Sequence, residues 1–264
     1  MTTSRVVAVR NWKPAEHTGG TDHIAVETPV ALTYNRQPHV VMMVTPADLE
    51  DFALGFSLTE GLIGAPDDLL AVRVIPREGG IEVAMSITEP WFDRLATQRR
   101  NLTGRTGCGL CGAERIEQAL RYPEPVGDRV RVTHAAVQQA LATMREHQPL
   151  QGVTGATHGA AWCDLQGNIG LLREDVGRHN ALDKLIGALA RQGFDPQNGF
   201  VLVSSRASYE MVYKAAAVGM ELIVAVSAPT TLAIEFAERA GVTLVGFGRP
   251  GRHNVYTFEQ RITD

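Results

Sequence analysis

Two cysteines, Cys108 and Cys111, stand in the stretch RTGCGLCG at residues 105–112. A CxxC pair can supply half of a zinc site, cycle as a redox dithiol, or carry sulfur as a persulfide. A structural zinc site needs four ligands. The chain has three cysteines, and the spacing of Cys163 and the histidines suggests no completed set. A thioredoxin-like dithiol belongs at the start of a helix in a βαβ frame. This pair instead lies among Gly107, Gly109 and Gly112, with no apolar periodicity, upstream of the regular part of the chain. That setting reads as a loop and suits a carrier arm better than a rigid redox centre. Arg105 favours thiolate over thiol in a group whose ordinary pKa is about 8.5. The pattern points to an activated nucleophile, and sulfur relay is one chemistry that needs such an arm.

A second set of polar residues depends on the elements that carry it. From Asn168 onward, the apolar stretches NIGLL, GFVLVSS, ELIVAVS and VTLVGFG alternate with helical patterns. The first helix, NALDKLIGALARQG, places Ala181, Leu182, Leu185, Ile186 and Leu189 on one face. Such alternation predicts βαβ units and a parallel sheet. Ligands of open parallel sheets bind beyond the carboxyl ends of the strands. The segments leaving those ends are REDVGRHN, SRAS, SAPT and GRPGRHN. Together they hold Arg173, Arg178, His179, Ser205, Arg206, Ser227, Thr230, Thr231, Arg249, Arg252 and His253. Three of the segments lead into helices, whose first amides favour anions. Five arginines gathered on one edge of a chain with net charge −4 predict a phosphate or pyrophosphate ligand, nucleotide-like in kind.

Each of these motifs also has a plainer reading. REDVGRHNALDK can be a solvated turn in which Asn180 caps the helix, with Asp183 completing an imperfect capping box. GFGRPGRHN can be an ordinary Pro-Gly turn, although Gly246, Gly248 and Gly251 would let backbone approach a ligand. Ser208 is an N-cap candidate, and no GxSxG elbow marks a serine nucleophile. His158, in TGATHGAAW, is either a packed structural residue or a member of the site. Cys163 reads as a buried, inert thiol.

The rest of the chain supplies the frame. Its 264 residues are 44% hydrophobic and 20% charged, which describes a globular protein with no general nucleic-acid signal. No apolar run is long enough to span a bilayer, and the start lacks a signal peptide's apolar region. With an odd number of cysteines, reduced thiols in a cytoplasmic setting are expected. The first twenty residues suggest no element. Strands joined by an NRQP turn are predicted within 22–44. A helix follows, with Thr45 as cap, Pro46 in its first position and Gly61 at its end. LLAVRVIP and IEVAMSIT read as strands, EPWFDRLATQRR as a helix, THAAVQQALATMREHQ as a helix capped by Thr133, and CDLQGNI as the turn of a hairpin. The expected organisation is a mixed, β-rich N-terminal domain over 1–103, a glycine-rich CxxC loop and linker over 104–131, and an α/β ligand-binding domain over 132–264. The fold class is α/β, with a mostly parallel C-terminal sheet flanked by helices beside a smaller α+β part.

GRTGCGLCG, REDVGRHNALDKLIG, SSRASYEMVYKAA, SAPT and TLVGFGRPGRHNVYT together resemble the FdhD/NarQ family of formate dehydrogenase accessory sulfurtransferases. The resemblance runs from about Asp22 to the C-terminus. It implies a cytidine-deaminase-like fold without that group's zinc signature. It also implies that sulfur is taken from a cysteine desulfurase and passed to the molybdenum cofactor destined for formate dehydrogenase. The cofactor implied is the bis form of molybdopterin guanine dinucleotide. The persulfide cysteine would fall on Cys108, with Cys111 as companion. The cofactor contacts would fall on Phe247, Gly248, Arg249, Pro250, Gly251 and Arg252. The edge loops add Arg178, His179, Ser205, Arg206 and His158. The implied partners are the desulfurase, the formate dehydrogenase apoenzyme and a second copy of the chain. The alternative is a non-catalytic chaperone for the molybdenum cofactor, with a structural CxxC.

Overall fold

The computed structural model describes residues 1–13, 16–100 and 124–264. It opens with an antiparallel hairpin, β1 (Ser4–Lys13) and β2 (Glu16–Ala25), of which the sequence suggested only the end of β2, from Asp22. The hairpin is exposed over most of its length, so no core face imposes a pattern on it. β3 (Thr28–Tyr34) and β4 (Gln37–Val44) follow. Asn35 and Arg36 between them both have positive φ, the mirror-image turn that matches strand twist. α1 (Leu49–Thr59) comes next, then the hairpin of β5 (Leu69–Arg77) and β6 (Gly80–Ile87), then α2 (Glu89–Arg100). The four strands form one sheet in the order β4-β3-β6-β5. Leu32, Tyr34, Val83 and Met85 of its strands pack with Phe52 and Phe56 of α1.

The second half begins with β7 (Val132–Thr133), α3 (His134–Thr143) and a short α4 (Pro149–Thr154). Thr133 caps α3 by accepting from Ala136 N, as its sequence predicts. β8 (His158–Asp164) and β9 (Ile169–Asp175) form the expected hairpin. The alternating run is α5 (Arg178–Arg191), β10 (Gly199–Val203), α6 (Tyr209–Ala217), β11 (Leu222–Ala225), α7 (Thr231–Ala240) and β12 (Thr243–Arg249). β13 (Arg252–Val255) and β14 (Ile262–Thr263) complete the chain.

Six strands make one sheet, ordered β13-β12-β11-β10-β8-β9. β10, β11 and β12 are mutually parallel. β8 is antiparallel to β10, and β9 to β8, so β9 runs with the central three. Four of the six strands therefore point the same way, which is the mostly parallel sheet the alternation predicts. The central strands are buried on both faces, which is why they read as continuous apolar runs. Val201, Val203, Ile223 and Leu244 pack under α5, α6 and α7. Phe200, Leu202, Val224 and Val245 pack against α3.

α1 joins the two halves by lying against α5. Gly55 and Gly187 meet there, and a Cβ on either would collide with the other helix's backbone. The contact is flanked by ion pairs. Arg173 binds Asp51 at 2.8 Å, and Lys214 binds Asp183 at 3.0 Å and Glu60 at 2.8 Å.

Candidate functional site

The strand directions place the carboxyl ends of β9, β10, β11 and β12 along one edge of the sheet. His158, at the start of antiparallel β8, sits opposite Asp175 in register and joins the same edge. Backbone bonds stitch the edge together. Ser204 N donates to Gly159 O at 3.0 Å, Ser227 N to Ser205 O at 3.3 Å, and Phe247 N to Ser227 O at 3.0 Å. The four predicted loops thus form one continuous strip, and α5, α6 and α7 all begin at it.

Helix capping at this edge differs from the sequence expectation. α5 starts at Arg178, with Gly177 rather than Asn180 at its cap. The Asn180 amide donates instead to Met43 O and to Asp175 Oδ1. Asp183, read as a capping-box partner, is buried and accepts from Lys214 and Thr59. Thr230 does cap α7, accepting from Ala233 N. Ser208 occupies the cap position of α6, yet its side chain makes no capping bond.

Three buried side-chain atoms at this edge have no hydrogen-bond partner among the described residues, Arg178 Nε, His179 Nε2 and Ser208 Oγ. Leaving such groups unpaired is costly, so they mark donors available to a ligand. Of these, His179 Nε2 lies 2.8 Å from Glu210 Oε2. That close contact holds the Glu210 carboxyl below its ordinary pKa, although its angle is not that of a hydrogen bond. His158 is half-buried. Burial first, and then the charges of Arg178 and His179, hold its imidazole below the ordinary value, which leaves it neutral at pH 7.

Ser205 is buried, and its hydroxyl donates to Arg206 O at 2.9 Å; Arg206 itself is exposed. Arg249, Pro250, Gly251 and Arg252 form the exposed turn between β12 and β13, with Arg249 opposite Arg252. Phe247 has a φ of 51° at the irregularity in β12 and is 38% exposed. A Cβ on buried Gly248 would run into Leu141 and Ala225 O. The turn is fastened to α3 where Gly251 N donates to Gln138 Oε1 at 2.6 Å. Gln138 Nε2 in turn lies 2.7 Å from His253 Nδ1.

Arg173 does not serve the edge, because its guanidinium is bound to Asp51 and lies 3.6 Å from Asp48. Four of the five expected arginines remain. Cys163 is buried, and burial raises its pKa, as its inert reading requires. Cys108, Cys111 and Arg105 lie outside the described residues. No local pattern signals Glu210, Asp175 or Gln138, since each acts on a residue distant in the chain. Among the described residues no group of three or more His, Cys, Asp and Glu could hold a metal ion. No described helix is long and apolar enough to cross a membrane.

Comparison with known proteins agrees with this architecture. A crystal structure of a formate dehydrogenase accessory protein from Desulfotalea psychrophila superposes with a TM-score of 0.79 at 27% identity, covering 99% of this chain and 100% of that one. A sulfur carrier protein FdhD from Cupriavidus necator is 52% identical over 260 residues, covering 98% of this chain and 90% of its own. The sulfur carrier protein FdhD of Bordetella petrii is 52% identical over 241 residues, 91% of this chain and 87% of its own. The FdhD/NarQ family model matches residues 25–263, so with the same mixed α/β architecture and relatives that align nearly end to end, the chain belongs to the FdhD/NarQ family.

Proposed function

We propose that this chain is a sulfurtransferase of the persulfide-carrier kind, acting in the cytoplasm on the molybdenum cofactor that formate dehydrogenase requires. The Cys108 thiolate attacks the outer sulfur of a cysteine desulfurase's persulfide. The donor's S–S bond breaks, its cysteine leaves as a thiolate, and the outer sulfur now rides on Cys108. Delivery as sulfide takes two electrons. Cys111 supplies them by closing a disulfide with Cys108 as the sulfur departs. The acceptor is bis(molybdopterin guanine dinucleotide), bound as substrate.

The observation that carries this reading is the strip of donors, where Arg178 Nε and Ser208 Oγ lack partners among the described residues beside three helix starts. Diphosphate oxygens suit such donors, and the guanine dinucleotide contains a diphosphate. Arg206, Arg249 and Arg252, all exposed, add charge along the same strip. The test is mass spectrometry after incubation with a cysteine desulfurase and cysteine. One added sulfur mass on the peptide holding Cys108 is expected. An unmodified peptide overturns the reading. So does active formate dehydrogenase in cells carrying Cys108→Ala and equally in cells carrying Cys111→Ala, a result that leaves cofactor chaperoning as the function.

A second copy of the chain is part of the same reading. The β1–β2 hairpin exposes Val6 and Ile24, and a lone two-stranded hairpin is marginal in water. Sedimentation equilibrium is expected to give a dimer, and a monomer mass removes it.

A further inference from the structure

Asp175 ends β9 with no exposed surface, and its carboxylate receives four donors. Oδ1 accepts from Gly177 N at 2.8 Å and Asn180 Nδ2 at 2.9 Å. Oδ2 accepts from Thr45 N at 2.9 Å and pairs with Lys184 Nζ at 2.7 Å. The same residues are tied a second time. Thr45 Oγ1 accepts from Val176 N at 3.1 Å, Lys184 Nζ donates to Thr45 O at 2.9 Å, and Asn180 Nδ2 donates to Met43 O at 2.8 Å. Residues 43–45, at the end of β4 and the residue after it, therefore grip the turn 176–180. That turn sets Arg178 and His179 at the ligand edge. A buried network with every member satisfied fixes one geometry, because any other leaves a buried polar group unpaired.

We propose that Asp175 is a positioning residue for the ligand edge, and that the N-terminal sheet and helix, acting through Thr45, set where Arg178 and His179 stand. The inference rests on reading that edge as the site of the cofactor's diphosphate. It gives the smaller half of the molecule a part in ligand binding through the turn 176–180. It also accounts for why α1 starts at Leu49 rather than at Pro46: Thr45 is committed to the turn across the interface.

Thr45→Val removes the hydroxyl that accepts from Val176 and leaves the backbone bonds of residue 45 in place. Asp175→Asn is the stronger lesion, and Thr45→Ser, which keeps the hydroxyl, is the rescue. Two readouts are taken on full-length protein. The first is the carboxyl titration of Glu210 by carbon NMR. In Thr45→Val its midpoint rises toward the ordinary glutamate value, because His179 no longer stands in register with it. Asp164, held low by its own turn in the β8–β9 hairpin, keeps its midpoint. The second is the affinity for guanosine diphosphate by calorimetry, expected to fall about fivefold in Thr45→Val, the low end of coupling between sites. It falls further in Asp175→Asn and is restored in Thr45→Ser. An unmoved Glu210 midpoint in folded Thr45→Val overturns the inference. A wild-type chain that binds no guanosine diphosphate overturns the reading of the edge, and the Glu210 titration still decides the positioning.

Discussion

The two edges of the six-stranded sheet carry comparable polarity and dispose of it in opposite ways. At the amino edge Arg261 is 3% exposed. It donates to Asp128 Oδ1 at 2.8 Å, Gly241 O at 2.6 Å, Glu221 O at 3.2 Å and Gly127 O at 2.9 Å. Glu221, also buried, accepts from Arg129 N and Val130 N at 2.8 Å each. Every strong donor there has an acceptor inside the protein. At the carboxyl edge Arg178 Nε, His179 Nε2 and Ser208 Oγ are buried without a hydrogen-bond partner among the described residues, and Arg206, Arg249 and Arg252 face water. A closed network stabilises the fold, whereas an incomplete one is kept where something outside completes it. The closed edge also anchors residues 126–130, the chain that leads from the glycine-rich cysteine stretch into the sheet.

The contrast can be broken from either side. The largest effect is expected from Arg261→Met. It leaves three backbone carbonyls without their charged donor, and unfolding free energy should fall by about 3 kcal/mol in urea titration. Affinity for guanosine diphosphate, measured on the folded protein, should not change. A stability loss near zero would mean that the amino edge is not the closed network described.

Arg178→Ala is expected to do the reverse. Removing a charge-assisted donor should weaken guanosine diphosphate binding by about ten- to a hundredfold. Stability should stay within about 0.5 kcal/mol, the range for a change outside core packing. Arg178→Lys should restore little, because an ammonium cannot reproduce a planar, bidentate contact. Equal affinity in wild type and Arg178→Ala would remove the edge from ligand binding.

The strip was legible in the sequence because it follows from periodicity alone. GFVLVSS, ELIVAVS and VTLVGFG announce buried strands, the intervening helices force them parallel, and parallel strands put their exits on one side. What periodicity cannot see is who bonds to whom across the chain. Thr45 and Pro46 carry a sound local signal for a helix start, but the Thr45 hydroxyl is taken by Val176, 131 positions away. Asn180 likewise leaves its capping role for Met43 and Asp175. Arg173 looked like a ligand group by its company and proved to be half of an ion pair with α1. α4 has six residues, too few to show a period, and the β1–β2 hairpin lacks the core face that gives a strand its alternation. Local rules held where no distant partner competed, as at Thr133.

The smallest expected effect sharpens the comparison through pH. His158 in the folded chain is held below its ordinary value of 6.5, by burial first and then by Arg178 and His179. As pH falls through 6.5, the unfolded chain takes up a proton that the folded chain does not, so stability declines on acidification. The contribution is present above that value and is lost as pH falls toward the folded pKa. His253, lowered by burial and then by His134, acts in the same sense. Glu210 enters only at lower pH, because carboxylates titrate near 4.5. Urea unfolding between neutral pH and about pH 5 should therefore show a shallower decline for His158→Gln than for wild type, and parallel curves would mean that His158 is not held neutral. Ligand binding reverses the sign at this residue. An anion at the edge offsets Arg178 and His179 and favours the imidazolium, so guanosine diphosphate should bind more tightly as pH falls through the same window, with uptake of a proton. The two opposite trends have one origin, and His158→Gln should flatten both; if it flattens only the stability curve, His158 belongs to the fold and not to the site.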